Sequence, residues 1–179
     1  MSDRFFVVTG GPGAGKTSLL TEHARRGFHT IPESGRAIIR EEMQSGGDAL
    51  PWGDRMAYAE RMMERDLHAH RAAQALPGPV IFDRGIPDIL GYLPLCGLPV
   101  PPHVAAAAKA ARYNARIFLA PYWDEIFTRD RERKQTRAEA EATSKVMRET
   151  YAALGYEITE LPYSGITMRA DFVEACLRS

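Results

Sequence analysis

Short apolar runs alternate with longer amphipathic stretches along the chain, and this pattern predicts strands that alternate with helices. The strand-like runs are residues 5–9, 28–31, 80–82, 117–119 and 156–161. The helical stretches are residues 17–26, 34–44, 54–76, 104–112, 136–154 and 166–177. Residues 86–95 are also apolar, but Pro87, Gly91 and Pro94 lead us to expect a broken segment there.

This alternation predicts an α/β fold in three layers, with a parallel sheet of about five strands and helices on both faces. Residues 80–82 and 117–119 are apolar without interruption, as expected of strands that are covered on both faces. Right-handed crossovers place the carboxyl ends of parallel strands along one edge of the sheet, where ligands bind. We expect residues 1–179 to form a single domain.

One motif between the first predicted strand and the first predicted helix indicates a nucleotide site. The run Gly10-Gly11-Pro12-Gly13-Ala14-Gly15-Lys16-Thr17 matches the phosphate-loop pattern G-x-x-x-x-G-K-[ST]. Its glycines allow a sharp turn that points backbone N–H groups at phosphate oxygens, and the following helix adds its positive dipole end. We expect Lys16 to reach the β- and γ-phosphates, the Thr17 hydroxyl to bind Mg²⁺, and Ser18 to complete the ATP-binding set. The alternative is a chance glycine-rich turn, and the strand and helix on either side favour the P-loop NTPase fold.

Three further residues are candidates for chemistry at strand ends. Asp83 follows a buried strand, where a carboxylate can hold the metal ion, although a turn-forming Asp is the alternative. Arg84 can clamp a phosphate or a hydroxyl, or pair with a neighbouring carboxylate. Glu33 follows the second strand, which we expect to lie beside the first. It is either a base for a substrate hydroxyl or a first-turn Glu of the next helix.

An arginine-rich segment follows the fourth predicted strand. We expect residues 124–137, including the run Thr128-Arg129-Asp130-Arg131-Glu132-Arg133-Lys134, to form a lid that closes over the triphosphate. Arg129 and Arg133 share one helix face by spacing, and we expect them to bind phosphate. The alternative is a solvated charged face in which the arginines pair with Asp130 and Glu132.

Weaker candidates lie elsewhere in the chain. Asp88 either reaches a substrate group or caps a helix, and Trp52 and Tyr58 either stack on a substrate ring or pack in the core. Arg36 and Arg40 are one helical turn apart and are expected to face one cleft.

Net charge, the length of the apolar runs and the cysteine content indicate which partners and which cell compartment to expect. A net charge of zero argues against a nucleic-acid partner. No apolar run is long enough to span a membrane, and the first residues lead directly into a strand without room for a signal peptide. We expect Cys96 and Cys176 to be free thiols in a cytoplasmic protein that is a monomer or a homodimer.

The motifs resemble those of known families. The phosphate loop, the Asp83-Arg84 pair and the arginine-rich segment together resemble small-molecule P-loop kinases such as thymidylate kinase and the nucleoside monophosphate kinases. The Pro32-Glu33 step followed by Arg36 resembles the deoxynucleoside kinases and the nicotinamide riboside kinase domains. In deoxynucleoside kinases a Glu at that place is the base for the sugar hydroxyl, and the likeness implies the same role for Glu33.

The sequence differs from the deoxynucleoside kinases at one motif: Asp83-Arg84-Gly85 stands where those kinases have Glu-Arg-Ser. The substrate therefore does not carry over. From the first strand to the final helix, the chain also looks like a group of small bacterial predicted ATPases with an AAA-like domain.

These observations predict a phosphotransferase that moves the γ-phosphoryl group of Mg-ATP to a small nucleoside- or metabolite-like acceptor. One alternative is an ATPase or nucleotide switch that acts through a protein partner. Another alternative is a nucleotide-binding module without catalysis.

Overall fold

All five predicted strands form in the computed structural model, which describes residues 2–124 and 136–178. The strands are β1 (Phe5–Gly10), β2 (His29–Ile31), β3 (Val80–Asp83), β4 (Arg116–Ala120) and β5 (Glu157–Glu160). Each neighbouring pair is parallel, as expected when helical crossovers separate the strands. The helices are α1 (Lys16–Arg25), α2 (Ser34–Ser45), α3 (Arg55–Ala72), α4 (Ile86–Leu95), α5 (Pro102–Ala110), α6 (Arg137–Ala153) and α7 (Ile166–Leu177).

The strand order in the sheet is β2-β3-β1-β4-β5. Our expectation that the second strand lies beside the first is therefore wrong. Instead β2 pairs with β3, with Ile31 opposite Phe82, and β3 lies between β2 and β1. The correction places Glu33 beside the end of β3, where Asp83 and Arg84 lie, and not directly beside the phosphate loop.

The sheet is covered on both faces, which confirms the three-layer α/β prediction. Successive residues of β1 point to opposite faces, so Phe5 and Val7 belong to one core cluster and Phe6 and Val8 to the other. The first cluster is completed from α6 and from the short 3₁₀ turn Ala73–Ala75 that follows α3. The second is completed from α1 and α7. Helices α2 to α5 pack in succession, and residues of α2, α3, α4 and α6 line a cavity at the carboxyl edge of the sheet.

Helix α4 corrects a second expectation, because residues 86–95 form one continuous helix. Pro87 lies in the first turn, where its missing N–H has no intrahelical partner to lose, and Pro94 lies in the last turn. Gly91 lies in the helix interior, where a Cβ would meet Met147 Sδ at 3.0 Å. The irregular composition therefore reflects close packing of α4 against α6.

Within residues 2–124 and 136–178, no helix is both long and apolar enough to cross a lipid bilayer. Neither Cys96 nor Cys176 forms a disulfide within the described residues.

Candidate active site

The phosphate loop connects β1 to α1 and contains three glycines in conformations that other residues rarely adopt. Gly10, Gly13 and Gly15 have φ angles of 129°, 70° and 81°. The loop is also tightly enclosed, because a Cβ on Gly10 or on Gly11 would come within 2.2 Å of a backbone oxygen. Its backbone amides and the N-terminus of α1 therefore form a cradle that fits phosphate oxygens.

Lys16 and Thr17 begin helix α1 at the edge of this cradle. The Lys16 side chain is almost fully buried, and its Nζ donates a hydrogen bond of 2.6 Å to the Gly11 carbonyl oxygen. The lysine charge therefore lies against the loop that we expect to hold the triphosphate. Ser18, the last predicted nucleotide-binding residue, is exposed in the first turn of α1.

Asp83 ends β3 opposite the phosphate loop and meets Thr17. The Thr17 hydroxyl donates a hydrogen bond of 3.1 Å to Asp83 Oδ2. The other carboxylate oxygen, Oδ1, is buried without a hydrogen-bond partner in the described part of the chain. Burial raises the pKa of Asp83, and the nearby Glu33 raises it further, against the opposing effects of Lys16 and Arg84. A buried carboxylate with one unused oxygen beside a threonine hydroxyl suits a divalent cation.

Arg84 follows Asp83 and turns the chain sharply between β3 and α4. Its φ of 70° is the one positive value of a non-glycine residue in the described ranges, and this strained conformation aims the side chain back across the site. Arg84 Nε donates to Glu33 Oε1 at 3.1 Å, and Nη1 donates to Asp88 Oδ1 at 2.9 Å. Burial alone would lower the pKa of Arg84, but Glu33, Asp88 and Asp83 together raise it. The guanidinium is therefore a fixed positive charge that is surrounded by carboxylates.

Glu33 immediately precedes α2, and its side chain is 8 % exposed. Its Oε1 accepts the Arg84 hydrogen bond, and its Oε2 lies 3.6 Å from Arg36 Nε. Arg36 therefore contacts the site, whereas Arg40, one turn later, is exposed. The two arginines do not face the same cleft in the way that their spacing suggested.

Asp88 is a buried junction whose importance the sequence did not settle. Its Oδ1 accepts hydrogen bonds from Arg84 and, at 2.5 Å, from the Thr9 hydroxyl. Its Oδ2 accepts from the Gly85 backbone N–H at 3.0 Å and from the Tyr151 hydroxyl at 2.7 Å. Asp88 thus caps α4 and at the same time joins β1 and α6 to Arg84. Both of its oxygens are therefore engaged in positioning other groups of the site.

A cavity of about 470 Å³ opens beside the phosphate loop. Pro12 of the loop lies on its wall together with Glu33 and Arg84. Trp52 and Tyr58 also line it, so these aromatic residues face the cavity that adjoins the phosphate site. The volume is within the range typical of small-molecule sites.

Asp66, which sequence reasoning missed, also lines the cavity. It lies in the middle of α3, and burial raises its pKa to about 7, while a hydrogen bond with Ser34 opposes the shift and Asp88 and Glu33 add to it. An acidic residue within the charged pattern of α3 carries no local signal that separates it from a solvated one. The structure distinguishes Asp66 because its neighbours from α2 and α4 enclose it.

The predicted lid arginines Arg129 and Arg133 lie outside the described residues. On either side of that segment, Arg137 Nη1 lies 3.1 Å from Asp124 Oδ1, and Thr136 caps α6 with Glu139. His70 packs between Phe5 and Tyr113 in the core. Within the described ranges, no group of three or more His, Cys, Asp or Glu side chains is arranged to hold a metal ion.

A family model described as "AAA domain" matches residues 5–169. The chain belongs to this family. No curated protein sequence gives a significant match.

Solved structures show the fold. Deoxyadenosine kinase from M. mycoides, with the products dCMP and dCDP bound, superimposes with a TM-score of 0.67 at 12 % identity, covering 97 % of this chain and 98 % of that chain. NadR in complex with NR gives a TM-score of 0.72 at 19 % identity, covering 98 % of this chain but 52 % of NadR. Shikimate kinase from Acinetobacter baumannii, in complex with shikimate, gives a TM-score of 0.56 at 16 % identity, covering 97 % of this chain and 90 % of that chain. The chain therefore has the α/β fold of the P-loop kinases.

Proposed function

We propose that the protein transfers the γ-phosphoryl group of Mg-ATP to a hydroxyl group of a small molecule. The observation that carries this proposal is the position of Glu33. Its carboxylate lies in the wall of a cavity that reaches the phosphate loop, and Arg84 holds it there at 3.1 Å. A nucleotide switch needs no acceptor cavity with an oriented carboxylate beside its phosphate loop.

ATP is the proposed donor, and residues 10–18 would hold its phosphates. The backbone cradle accepts the phosphate oxygens, and Lys16 places its charge against the β- and γ-phosphates. Two structural neighbours support this choice, since deoxyadenosine kinase was solved with bound dATP and NadR with NAD and AMP-PNP. The predicted lid residues Arg129 and Arg133 would add positive charge at the transferring group.

Mg²⁺ is the proposed metal, and Thr17 with Asp83 would hold it. Their oxygens meet at 3.1 Å, and Asp83 Oδ1 remains unused by the described residues. Two protein ligands suit this ion, because Mg²⁺ usually completes its coordination shell with water and substrate phosphates. The bound ion supplies charge neutralisation on the phosphate oxygens.

Glu33 is the proposed base. The acceptor hydroxyl oxygen forms a bond to the γ-phosphorus while the bond from that phosphorus to the β–γ bridging oxygen breaks, and ADP leaves. Glu33 takes the hydroxyl proton. Arg84 keeps the carboxylate aimed at the cavity, and Lys16 stabilises the negative charge that moves onto the leaving phosphate.

Glu33→Gln tests this assignment, with Glu60→Gln as the control. Glu60 lies on α3 and pairs with the surface residue His103, away from the cavity. We expect Glu33→Gln to lower kcat for acceptor phosphorylation by about 10²- to 10⁴-fold because the amide cannot take the proton. ATP affinity, measured by calorimetry, should stay within about twofold, since Glu33 does not belong to the phosphate loop.

The assay measures ADP release from Mg-ATP with and without a panel of nucleosides, sugars and amino alcohols. A kinase turns over ATP slowly alone and much faster with one acceptor. ATP turnover that no panel member stimulates and that Glu33→Gln leaves unchanged would contradict the proposal and favour an ATPase or switch. Lys16→Ala should abolish turnover in either case.

A further inference from the structure

Acidic side chains outnumber basic ones among the described residues that line the acceptor cavity, and this difference bears on the substrate class of the proposed function. Among the described residues, four acidic side chains line it, namely Glu33, Asp66, Asp88 and Glu139. Two basic side chains from the same part of the chain line it, namely Arg55 and Arg84. The excess of carboxylates disfavours a second anion in the same space.

The arginines of the cavity are already engaged or exposed. Arg84 is held by Glu33 and Asp88, so its guanidinium cannot turn to a phosphate or carboxylate on the acceptor without breaking both contacts. Arg55 is exposed at the rim, and its Nε donates to the Pro51 carbonyl oxygen at 2.9 Å. Among residues 2–124 and 136–178, the cavity wall therefore offers no unengaged, inward-facing arginine for an anionic acceptor.

Asp66 has fewer charged partners than Glu33 and Asp88 in the same wall. In the described ranges it contributes to no ion pair, and its one hydrogen bond is with Ser34. By contrast, Arg84 offsets the charge of Glu33 and of Asp88. Asp66 thus presents a carboxylate to the cavity that a positively charged ligand group can neutralise.

The rest of the wall is apolar and partly aromatic. Tyr58 and Tyr92 pack edge to face with ring centroids 5.8 Å apart, and Met62 lies beside them. Trp52 lines the cavity at its mouth and is 54 % exposed. Such a surface favours a flat or hydrocarbon body, and aromatic faces also attract organic cations.

We propose that the acceptor is an amino alcohol with an apolar body: its protonated amine binds Asp66, its body packs on the aromatic wall, and its hydroxyl faces Glu33. This inference rests on the proposed function for the role of the hydroxyl. The amine stays protonated throughout, and only the hydroxyl oxygen forms a bond to the γ-phosphorus. Glu33 takes the hydroxyl proton, and ADP leaves as before.

Three probes of matched shape test the substrate class. L-Phenylalaninol carries an amine and a hydroxyl, 3-phenylpropane-1,2-diol is its neutral counterpart, and L-3-phenyllactate carries a hydroxyl and a carboxylate. Calorimetric titration of the full chain without nucleotide, at about pH 8, keeps the amine protonated and the carboxyl of Asp66 ionised. We expect phenylalaninol to bind at least about tenfold more tightly than either counterpart, because a charge-assisted hydrogen bond replaces a neutral contact or a repulsion.

Variants assign the effect to Asp66. Asp66→Asn should remove the preference for the amine, Asp66→Glu should retain part of it, and Glu64→Gln, an exposed neighbour on the same helix, should leave it unchanged. Melting curves confirm that each variant is folded. Equal or tighter binding of the diol or of phenyllactate, no measurable binding of phenylalaninol, or an unchanged preference in folded Asp66→Asn would each overturn the inference.

A separate transfer assay distinguishes this inference from the proposed function. Each probe, and also adenosine and AMP, is incubated with Mg-ATP, and the phosphorylated product is measured by mass spectrometry. Binding of phenylalaninol through Asp66 without phosphorylation of any probe would count against the kinase proposal but not against the amine site. Preferential phosphorylation of AMP or phenyllactate would support the kinase proposal and overturn the amino alcohol class.

Discussion

At the scale of single residues, burial decides what each carboxylate in the site can do. Asp83 and Asp66 are enclosed near other acids, and burial is the first cause of the raised pKa of each. Glu33 and Asp88 share Arg84, which offsets part of the same cost. Ionisation of Asp83 and of Asp66 is therefore disfavoured, and a bound cation would favour it at either position.

The raised pKa of Asp66 makes the free energy of unfolding depend on pH. Its pKa of about 7 in the folded chain exceeds the ordinary value of 3.8, so its contribution to stability is present below about pH 4 and is lost as pH rises through 7. The groups around Asp66 are Glu33 before α2, Asp88 on α4, Tyr113 after α5 and Arg65 on α3.

We predict that the free energy of unfolding of Asp66→Asn, relative to the natural chain, rises by a few kcal/mol (on the order of 3) between pH 4 and pH 8. Urea unfolding at several pH values measures it, with Glu64→Gln as the control. Curves for Asp66→Asn that run parallel to those of the natural chain across this interval would show that Asp66 is not titrating as described.

At the scale of elements, the start of α4 organises the site. The turn from β3 into α4 places Asp83, Arg84 and Asp88 within six residues. Asp88 then connects this turn to β1 through Thr9 and to α6 through Tyr151. Arg84 links Asp88 in turn to Glu33, so the Tyr151–Asp88 hydrogen bond connects α6 to the proposed base.

Tyr151→Phe removes this connection while keeping the ring. We predict a loss of about 1 kcal/mol in stability, because one carboxylate oxygen loses a buried donor. We also predict a fall of about tenfold in kcat with little change in the KM for ATP, since Arg84 and Glu33 become less firmly oriented. Tyr156→Phe is the matched control, because among the described residues its hydroxyl accepts one hydrogen bond of 3.3 Å, from the Tyr113 N–H. Equal kcat values for the two variants would show that the Tyr151–Asp88 hydrogen bond does not help to orient Arg84 and Glu33, and that Asp88 serves only as a helix cap.

At the scale of the whole molecule, the last helix supports the first functional loop. Arg169 of α7 is fully buried, and its Nη1 donates to the Ala14 carbonyl oxygen of the phosphate loop at 2.8 Å. Its Nε donates to Pro162 at 2.9 Å, and its guanidinium lies 5.3 Å from the Trp123 ring centroid. Burial lowers the pKa of Arg169, so these contacts hold a charge in a place that disfavours it.

Arg169→Met keeps the approximate length of the side chain and its hydrocarbon stem but removes the guanidinium. The carbonyl groups of Ala14 and Pro162 then lose their donor. We predict a loss of about 1 to 3 kcal/mol in the free energy of unfolding. We also expect a smaller increase in melting temperature on addition of Mg-ATP, because the loop is less preorganised. Arg178→Met, at an exposed position after α7, should change neither quantity. Identical increases in melting temperature on addition of Mg-ATP, in the natural chain and in Arg169→Met, would show that the Arg169 contacts do not contribute to nucleotide binding.

The sequence by itself determined the class of fold and the place of the phosphate loop. Both depend on local signals, since the motif from Gly10 to Thr17 and the apolar periods of the strands need no distant partner. The sequence also identified Asp83, Arg84 and Glu33 as candidates, because each follows a strand. It misread residues 86–95, since proline lowers helix propensity in general but not at the first turn.

Only the tertiary structure decided which candidates meet. Strand order depends on contacts between distant segments, and β2 beside β3 brought Glu33 to Arg84, although the sequence predicted a different neighbour. The same packing enclosed Asp66, which looks like a surface residue in its own helix, and turned Asp88 into a junction of three elements. Local patterns encode periodicity and turn geometry, whereas burial and charge pairing arise only when remote parts of the chain pack together.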